Sequence, residues 1–433
     1  MHQPGTSSGI LQAMLGLPWV LRERRPVPHE LEAALRTLAT QRKAEVAGDD
    51  PGLTWTGDRR RRHMATYELR VDPSVPVREQ PDRCHNRWHP DIPPALSCRP
   101  GDEVVLTARD AVDGQFTMAS THEDVPRCDR SVVCPMTGPI RVEGAEPGDL
   151  LAVDILEVVP SGFGYTAQIP GFGFLRDEFP EPFLVRWELG DGWAVSPDLP
   201  GVRVPGAPFM GTMGVAPSRS LLERITARER ALADQGEDVA LPDPRGAVPT
   251  DDRIAREGLR TKPPRENGGN LDVKQLVAGS RALFPVWTDG ALFSAGDGHF
   301  AQGDGEACGT AIETATTLHV RFDLLKGAAA AQGTRDVRFL GGRAGGARPG
   351  GRYVATTGLS VYADSGGRAE DLNAAAGNAL RNMISLLQAE YGFTRQQAYA
   401  ISSVAVDLRI SELVDAPNFV VTAMLPLEVL QRS

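Results

Sequence analysis

Glycine and proline punctuate this chain at such short intervals that most of its elements have to be short. Between 64 and 218 the turns RPGDE, AEPGD, IPGFGF and LPGVRVPGAP break up the sequence. Between them lie runs such as DEVVLTARD (102–110) and DLLAVDILEVV (149–159). These runs alternate, or are continuously apolar and rich in β-branched residues, which predicts strands. Proline cannot donate to a sheet ladder and glycine admits the tight turns between strands. The pattern suits a barrel or a sandwich. PGDEVVL is echoed by PGDLLAV, a turn feeding a strand twice, but the echo is too short to establish a repeat.

Elsewhere the period lengthens. HELEAALRTLATQRKAEV places Leu31, Leu35 and Leu38 on one helical face. SLLERITARERALADQG opens with Ser220 and Glu223, the spacing of a capping box, and leads into a Pro- and Asp-rich loop. TTLHVRFDLL, RYVATTGLSVYA and FVVTAMLPLEVL read as strands. AEDLNAAAGNALRNMISLLQAEYG reads as a long helix stopped by Gly392, and TRQQAYAISS starts a second with Thr394 and Gln397. The expected fold class is α+β, a β-rich mixed barrel or sandwich core with flanking helices. The expected organisation is a partly helical extension over 1–63, a β-rich part over 64–218, a helix-and-loop insertion over 219–264, and an α+β part over 265–433. A chain of 433 residues exceeds one typical core, so two or three packed units are expected.

Charge and composition exclude several classes of function. The formal net charge is −10, which argues against a nucleic-acid surface. The one basic run, RRRR at 59–62, is short and set in polar sequence, as a solvated linker would be. No stretch reaches the ~18 apolar residues that a membrane span needs. The first residues lack the basic start of a signal peptide. The five cysteines are odd in number and form no C-x-x-C, so a reducing cytoplasm is the expected setting.

The usual hydrolase signatures are absent: there is no G-x-S-x-G elbow, no phosphate loop and no H-E-x-x-H. Cys308 could serve as a nucleophile only as a thiolate, and its acidic neighbours oppose that. Three polar clusters remain, each edged by Gly or Pro. CHNRWHPDIPPAL carries His85, His89 and Asp91; ENGGNLDVKQL carries Glu266, Asn270 and Asp272; GDGHFAQGDGE carries Asp297, His299, Asp304 and Glu306. Imidazole with carboxylates is a donor set for zinc or a similar divalent ion, which can activate water against an amide without a protein nucleophile. Each cluster has a plainer reading. A loop histidine is more often a hydrogen-bonded structural residue, and Asp between glycines often folds a turn.

The same strings resemble the acetamidase/formamidase family. HNRWHPDIPP, GPIRVEGAEPGDLLAVDI, GTMGVAPS, RENGGNLDVKQLVAGSRALFPV, GALFSAGDGHFAQGDGEACGTAIE and SSVAVDLRISELVDAPNFVVTAMLP carry the likeness, in order, from about residue 67 to 430. The resemblance implies a cytoplasmic, homo-oligomeric amidohydrolase, dimeric or larger, that cleaves a small amide to a carboxylate and ammonia with a divalent metal, usually zinc. It implies neither a nucleic-acid nor a membrane partner. Positions matching the family's polar motifs suggest His85, Asp272, His299 and Asp297 as metal ligands. They suggest Glu143, Glu306 and Asn270 as catalytic groups, and Asp110, Gln115 and His89 as substrate-binding groups. Two departures stand out. HNRWHP is formamidase-like while the C-terminal string is acetamidase-like, so the substrate does not follow from the branch. Where the family usually carries a histidine before T-G-P, VVCPMTGP has Cys134, whose thiolate would itself ligate zinc. The alternatives are an enzyme repurposed for a larger amide or natural-product intermediate, and a non-catalytic descendant that keeps a metal.

Overall fold

The computed structural model describes residues 64–341, 352–360, 371–413 and 419–430. The helix expected within 29–46 lies outside them. Eight strands position the site: β1 (Met136–Val142), β2 (Leu150–Pro160), β3 (Phe163–Gln168), β4 (Phe209–Gly214), β5 (Gly268–Asn270), β6 (Phe293–His299), β7 (Glu313–Thr314) and β8 (Thr316–Leu325). Three helices matter to it: α1 (Arg219–Ala233), α2 (Leu372–Tyr391) and α3 (Arg395–Ala405).

The α+β expectation holds, with two large mixed sheets. One runs Thr66–Leu69, Glu103–Ala108, β8, β2, Arg281–Pro285, Arg338–Leu340. The other places β6 at its centre, with β4 along one edge and β1 and β7 along the other. Each sheet contains one parallel pairing among antiparallel ones. Among the described residues neither strand order closes on itself, so the sandwich half of the expectation describes the core better than the barrel half.

The alternation seen in the sequence explains the packing. Along β8, Leu318, Val320 and Phe322 point inward, as do Leu151, Val153 and Ile155 on β2. They meet Ile140, Met210, Met213, Phe293 and Ala295 from the second sheet in one cluster. Each such side chain removed from water contributes roughly 1.5–3 kcal/mol. A second cluster lies under the helices, where Ala379, Leu380, Met383 and Leu387 of α2 and Ile401 and Val404 of α3 bury a small antiparallel sheet through Val421, Ala423 and Leu425.

Helix ends follow local chemistry. Gly392 adopts φ 74° and ends α2 as its sequence position suggests. Thr394 and Gln397 form the expected capping box of α3. The start of α1 is corrected: the cap is Ser218, whose Oγ accepts from the Leu221 N–H at 3.2 Å, and Ser220 already lies inside the helix. Starting there turns Leu221, Leu222 and Ile225 onto Trp88, Met136 and Leu259, so α1 is seated on its own apolar cluster.

Ser218→Ala is expected to lower unfolding stability by about 1 kcal/mol, the ordinary cost of losing a cap, while Ser220→Ala leaves it nearly unchanged. Urea titration of the two variants checks this; equal effects would return the cap to Ser220.

Candidate active site

The strand β6 has the sequence FSAGDGH and is buried along its whole length. Phe293 and Ala295 enter the core between the sheets. At Gly296 any Cβ would run into the Pro135 carbonyl oxygen, so only glycine lets β6 pass that closely. The strand then delivers Asp297 and His299 into the protein. Register sets their neighbours: His299 stands opposite Phe209 of β4 on one side and Glu313 of β7 on the other. The imidazole meets the Phe209 ring edge-on, with centroids 5.0 Å apart.

Two loops complete the site. After β5 the chain turns at Asp272, whose N–H reaches the Gly211 carbonyl at 3.2 Å. The loop after β6 turns at Glu306, and α3 ties that loop down. Ser403 accepts the Gly303 N–H on its backbone carbonyl and the Cys308 N–H on its hydroxyl, and the Tyr399 hydroxyl donates to the Ala307 carbonyl. Asp272, Asp297 and Glu306 all have positive φ, at 49°, 59° and 43°. Such a conformation costs of order 1–3 kcal/mol per non-glycine residue and persists only where the surroundings hold it.

The result is two overlapping groups, Asp272–His299–Glu306 at the half-buried edge and Asp297–His299–Glu313 deeper in. Four carboxyl groups thus share one imidazole. Among the described residues no lysine or arginine lies within ion-pair distance of any of the four; Nε2 of His299, 3.1 Å from Glu313 Oε2 and 3.5 Å from Asp297 Oδ1, is their only cationic partner. Distance alone does not make these contacts hydrogen bonds, because the donor must also point at the acceptor. Asp272 Oδ1, Asp297 Oδ1 and Glu313 Oε2 are buried and receive no aligned donor. Their other oxygens are satisfied: Asn270 Nδ2 donates to Asp272 Oδ2 at 2.6 Å, Thr212 Oγ1 stands 3.1 Å from Asp297 Oδ2 and 2.5 Å from Asn270 Oδ1, and the Ala311 N–H donates to Glu313 Oε1 at 2.9 Å.

The titration behaviour follows from this crowding. Burial pushes Glu306 up to about 8 and Glu313 up to about 7, with neighbouring carboxylates adding to it and His299 opposing it. Burial and the Glu306 carboxylate hold Asp272 well above the usual range. For His299 burial acts downward, but Glu313 and Asp297 outweigh it and raise the imidazole. Asp297 is lowered despite its burial, because His299, Glu313 and Thr212 favour its charged form. An unpaired buried carboxylate costs several kcal/mol, so four ionised together would rival a whole domain's stability of about 5–15 kcal/mol. The set therefore demands protons or a cation. The unpartnered oxygens, the shared imidazole and the space kept open by Gly211 all fit a divalent ion. A Cβ at Gly211 would lie 2.7 Å from both Asp272 Oδ1 and His299 Cε1.

Other residues singled out in the sequence lie apart from the cluster. His85 is buried with both ring nitrogens engaged, Nδ1 to the Arg87 carbonyl at 2.8 Å and Nε2 to Ser294 Oγ at 2.7 Å, which leaves no lone pair for a metal. Burial lowers it to about 4, so it stays neutral. Glu143 is an exposed partner of Arg99 on the surface. His89 is buried against Glu257 and the Asp91 N–H. Gln115 staples its own loop through the Val112 carbonyl and the Asp129 backbone. Asp110 accepts from the Tyr165 hydroxyl, and the Tyr165 backbone stands opposite Glu313 in the sheet, so Asp110 lies one residue removed from the cluster. Cys134 feels the carboxylates and is raised by burial and by them; its sulfur belongs to neither group. Glu313 and Gln302 escaped the sequence reading. Glu313 alone carries charge between Cys308 and the strand TTLHVRFDLL, which is the signal that could have marked it.

Comparison with known proteins gives a consistent result. The sequence model described as the Acetamidase/Formamidase family matches residues 70–432. An acetamidase from Mycolicibacterium smegmatis is 39% identical over 366 residues, covering 78% of this chain and 89% of that protein. A formamidase from Methylophilus methylotrophus is 37% identical over 378 residues, covering 82% and 91%. The solved structure of a gamma lactamase from Delftia acidovorans superposes with a TM-score of 0.80 at 34% identity, covering 85% of this chain and 94% of that one.

Burial pushes Cys308 up to about 11, so at neutral pH it is a thiol rather than a nucleophile. In the folded protein at pH 7.5, iodoacetamide is expected to leave Cys308 unmodified, with labelling only after denaturation in urea. Mass spectrometry of the peptide checks this; rapid native labelling would restore Cys308 as a nucleophile.

Proposed function

Because the chain belongs to the acetamidase/formamidase family, we propose that it hydrolyses the C–N bond of a small aliphatic amide, of formamide or acetamide type, to a carboxylate and ammonia. It is an amidohydrolase acting on linear amides. One observation carries the assignment of the site: Asp272, Asp297, His299, Glu306 and Glu313 converge, and three of their buried oxygens lack donors. We assign that convergence to a divalent cation, with zinc the best match to imidazole plus carboxylates. Asp272, Asp297 and Glu313 would hold it through their unpartnered oxygens, together with Nε2 of His299, which lies among them. When bound, such an ion polarises an amide carbonyl and eases the deprotonation of water.

The chain's own groups do the rest. Asn270 fixes Asp272 through its amide and is itself held by Thr212, so the half-buried carboxylate keeps one orientation. Glu306 stands at the half-buried edge of the cluster, and no lysine or arginine among the described residues pairs with it. It takes the proton from the attacking water and passes it to the departing nitrogen, which must leave as ammonia. The buried surroundings exclude bulk water from the reacting groups.

A second reading is favoured by the likeness to the gamma lactamase. A lactam is the same amide bond closed in a ring, so the site's chemistry accommodates it without a change of residues, and the shape of the entrance decides between the two.

Ammonia release from formamide and acetamide, and ring opening of a γ-lactam, are measured before and after dialysis against a chelator. Activity is expected to fall to background and to return with zinc; full activity in metal-free protein would remove the cation. Glu306→Gln is expected to keep fold and metal content while turnover drops roughly 10²–10⁴-fold, the range for loss of a general acid–base. Unchanged turnover would take Glu306 out of the mechanism.

A further inference from the structure

Gln302 lies three residues beyond His299 and is buried. Its side chain makes two hydrogen bonds. Nε2 donates to the backbone carbonyl of Asp272 at 2.9 Å, and Oε1 lies 2.9 Å from Nδ1 of His299. The first bond fixes the orientation of the amide, because turning it over would set Oε1 against the Asp272 carbonyl, acceptor against acceptor. With Oε1 so placed, Nδ1 of His299 has to carry its hydrogen. A neutral imidazole has one N–H and one lone pair. Once the imidazole gives up its second proton to a cation, the lone pair is therefore on Nε2, the atom that faces Glu313 and Asp297.

We propose that Gln302 is a positioning residue that locks His299 in the tautomer able to ligate a divalent cation through Nε2. The inference rests on the cation reading above. It assigns to an uncharged side chain the role that a carboxylate or carbonyl commonly plays behind a ligating histidine. The device is local: Gln302 lies in the loop that leaves β6 at His299, and the bond to Asp272 ties that loop to the one that supplies a second ligand. Both ligand-bearing loops are thereby set by one amide, before any ion arrives.

The test uses the full chain and zinc itself, by chelator competition at one fixed pH. Wild-type protein is expected to bind zinc. Gln302→Leu, which fills a similar volume but neither donates nor accepts, is expected to bind about 10–100-fold more weakly. Gln302→Glu keeps the acceptor facing Nδ1 and is expected to bind zinc as tightly as wild type or more tightly. Wild-type affinity in Gln302→Leu overturns the proposal. So does a tenfold loss in Gln302→Glu, which would assign the effect to the bond with Asp272 instead; this second variant decides alone if Gln302→Leu does not fold. Failure of the unsubstituted protein to bind zinc removes the cation reading and this inference together, and is seen before any substitution is compared.

Discussion

Four carboxyl groups facing a single imidazole make an electrostatic arrangement that a protein interior does not tolerate by itself. Asp272, Asp297, Glu306 and Glu313 repel one another, and burial strengthens each repulsion by lowering the local dielectric. Without a counter-charge the set relaxes by holding protons, which is why Glu306, Glu313 and Asp272 are all raised. With a divalent ion the same groups become ligands. The proposed affinity of the site for a cation and its unusual protonation are two expressions of one constraint.

The rest of the fold makes that constraint unavoidable. β6 is gripped on both edges, so Asp297 and His299 cannot move apart. The loop carrying Glu306 is pinned by Ser403 and Tyr399 of α3, and the Asp272 turn by the Gly211 backbone and Gln302. Positive φ at three of the four acidic residues shows strain concentrated where the carboxylates meet. The two cores, one between the sheets and one beneath the helices, supply the stability against which that strain is held. A C-terminal helix that contributes no ligand thus belongs to the site's support.

Much of this was legible in the sequence, for physical reasons. Period-two runs bounded by Gly and Pro specified strands, and Gly392 and the Thr394–Gln397 pair specified helix ends, because these signals act within a few residues. Asp272, Asp297, His299 and Glu306 stood out because glycines beside acids and histidine mark backbone bent for a purpose. What depends on contacts between distant segments was not legible. Glu313 joins the cluster only through its register opposite His299. His85 looks like a ligand until Ser294, far along the chain, occupies its Nε2. Glu143 sits in a motif that marks the family, yet the side chain points to Arg99 and solvent. Ser218 and Ser220 are both plausible caps, and only the packing of Leu221, Leu222 and Ile225 separates them.

The most direct measurement is an anomalous difference map recorded at the zinc edge from crystals of catalytically competent protein. The account predicts one peak enclosed by Asp272, Asp297, His299 and Glu313, with Glu306 facing it. A peak elsewhere, beside His85 for example, or competent crystals with no peak at all, would contradict it.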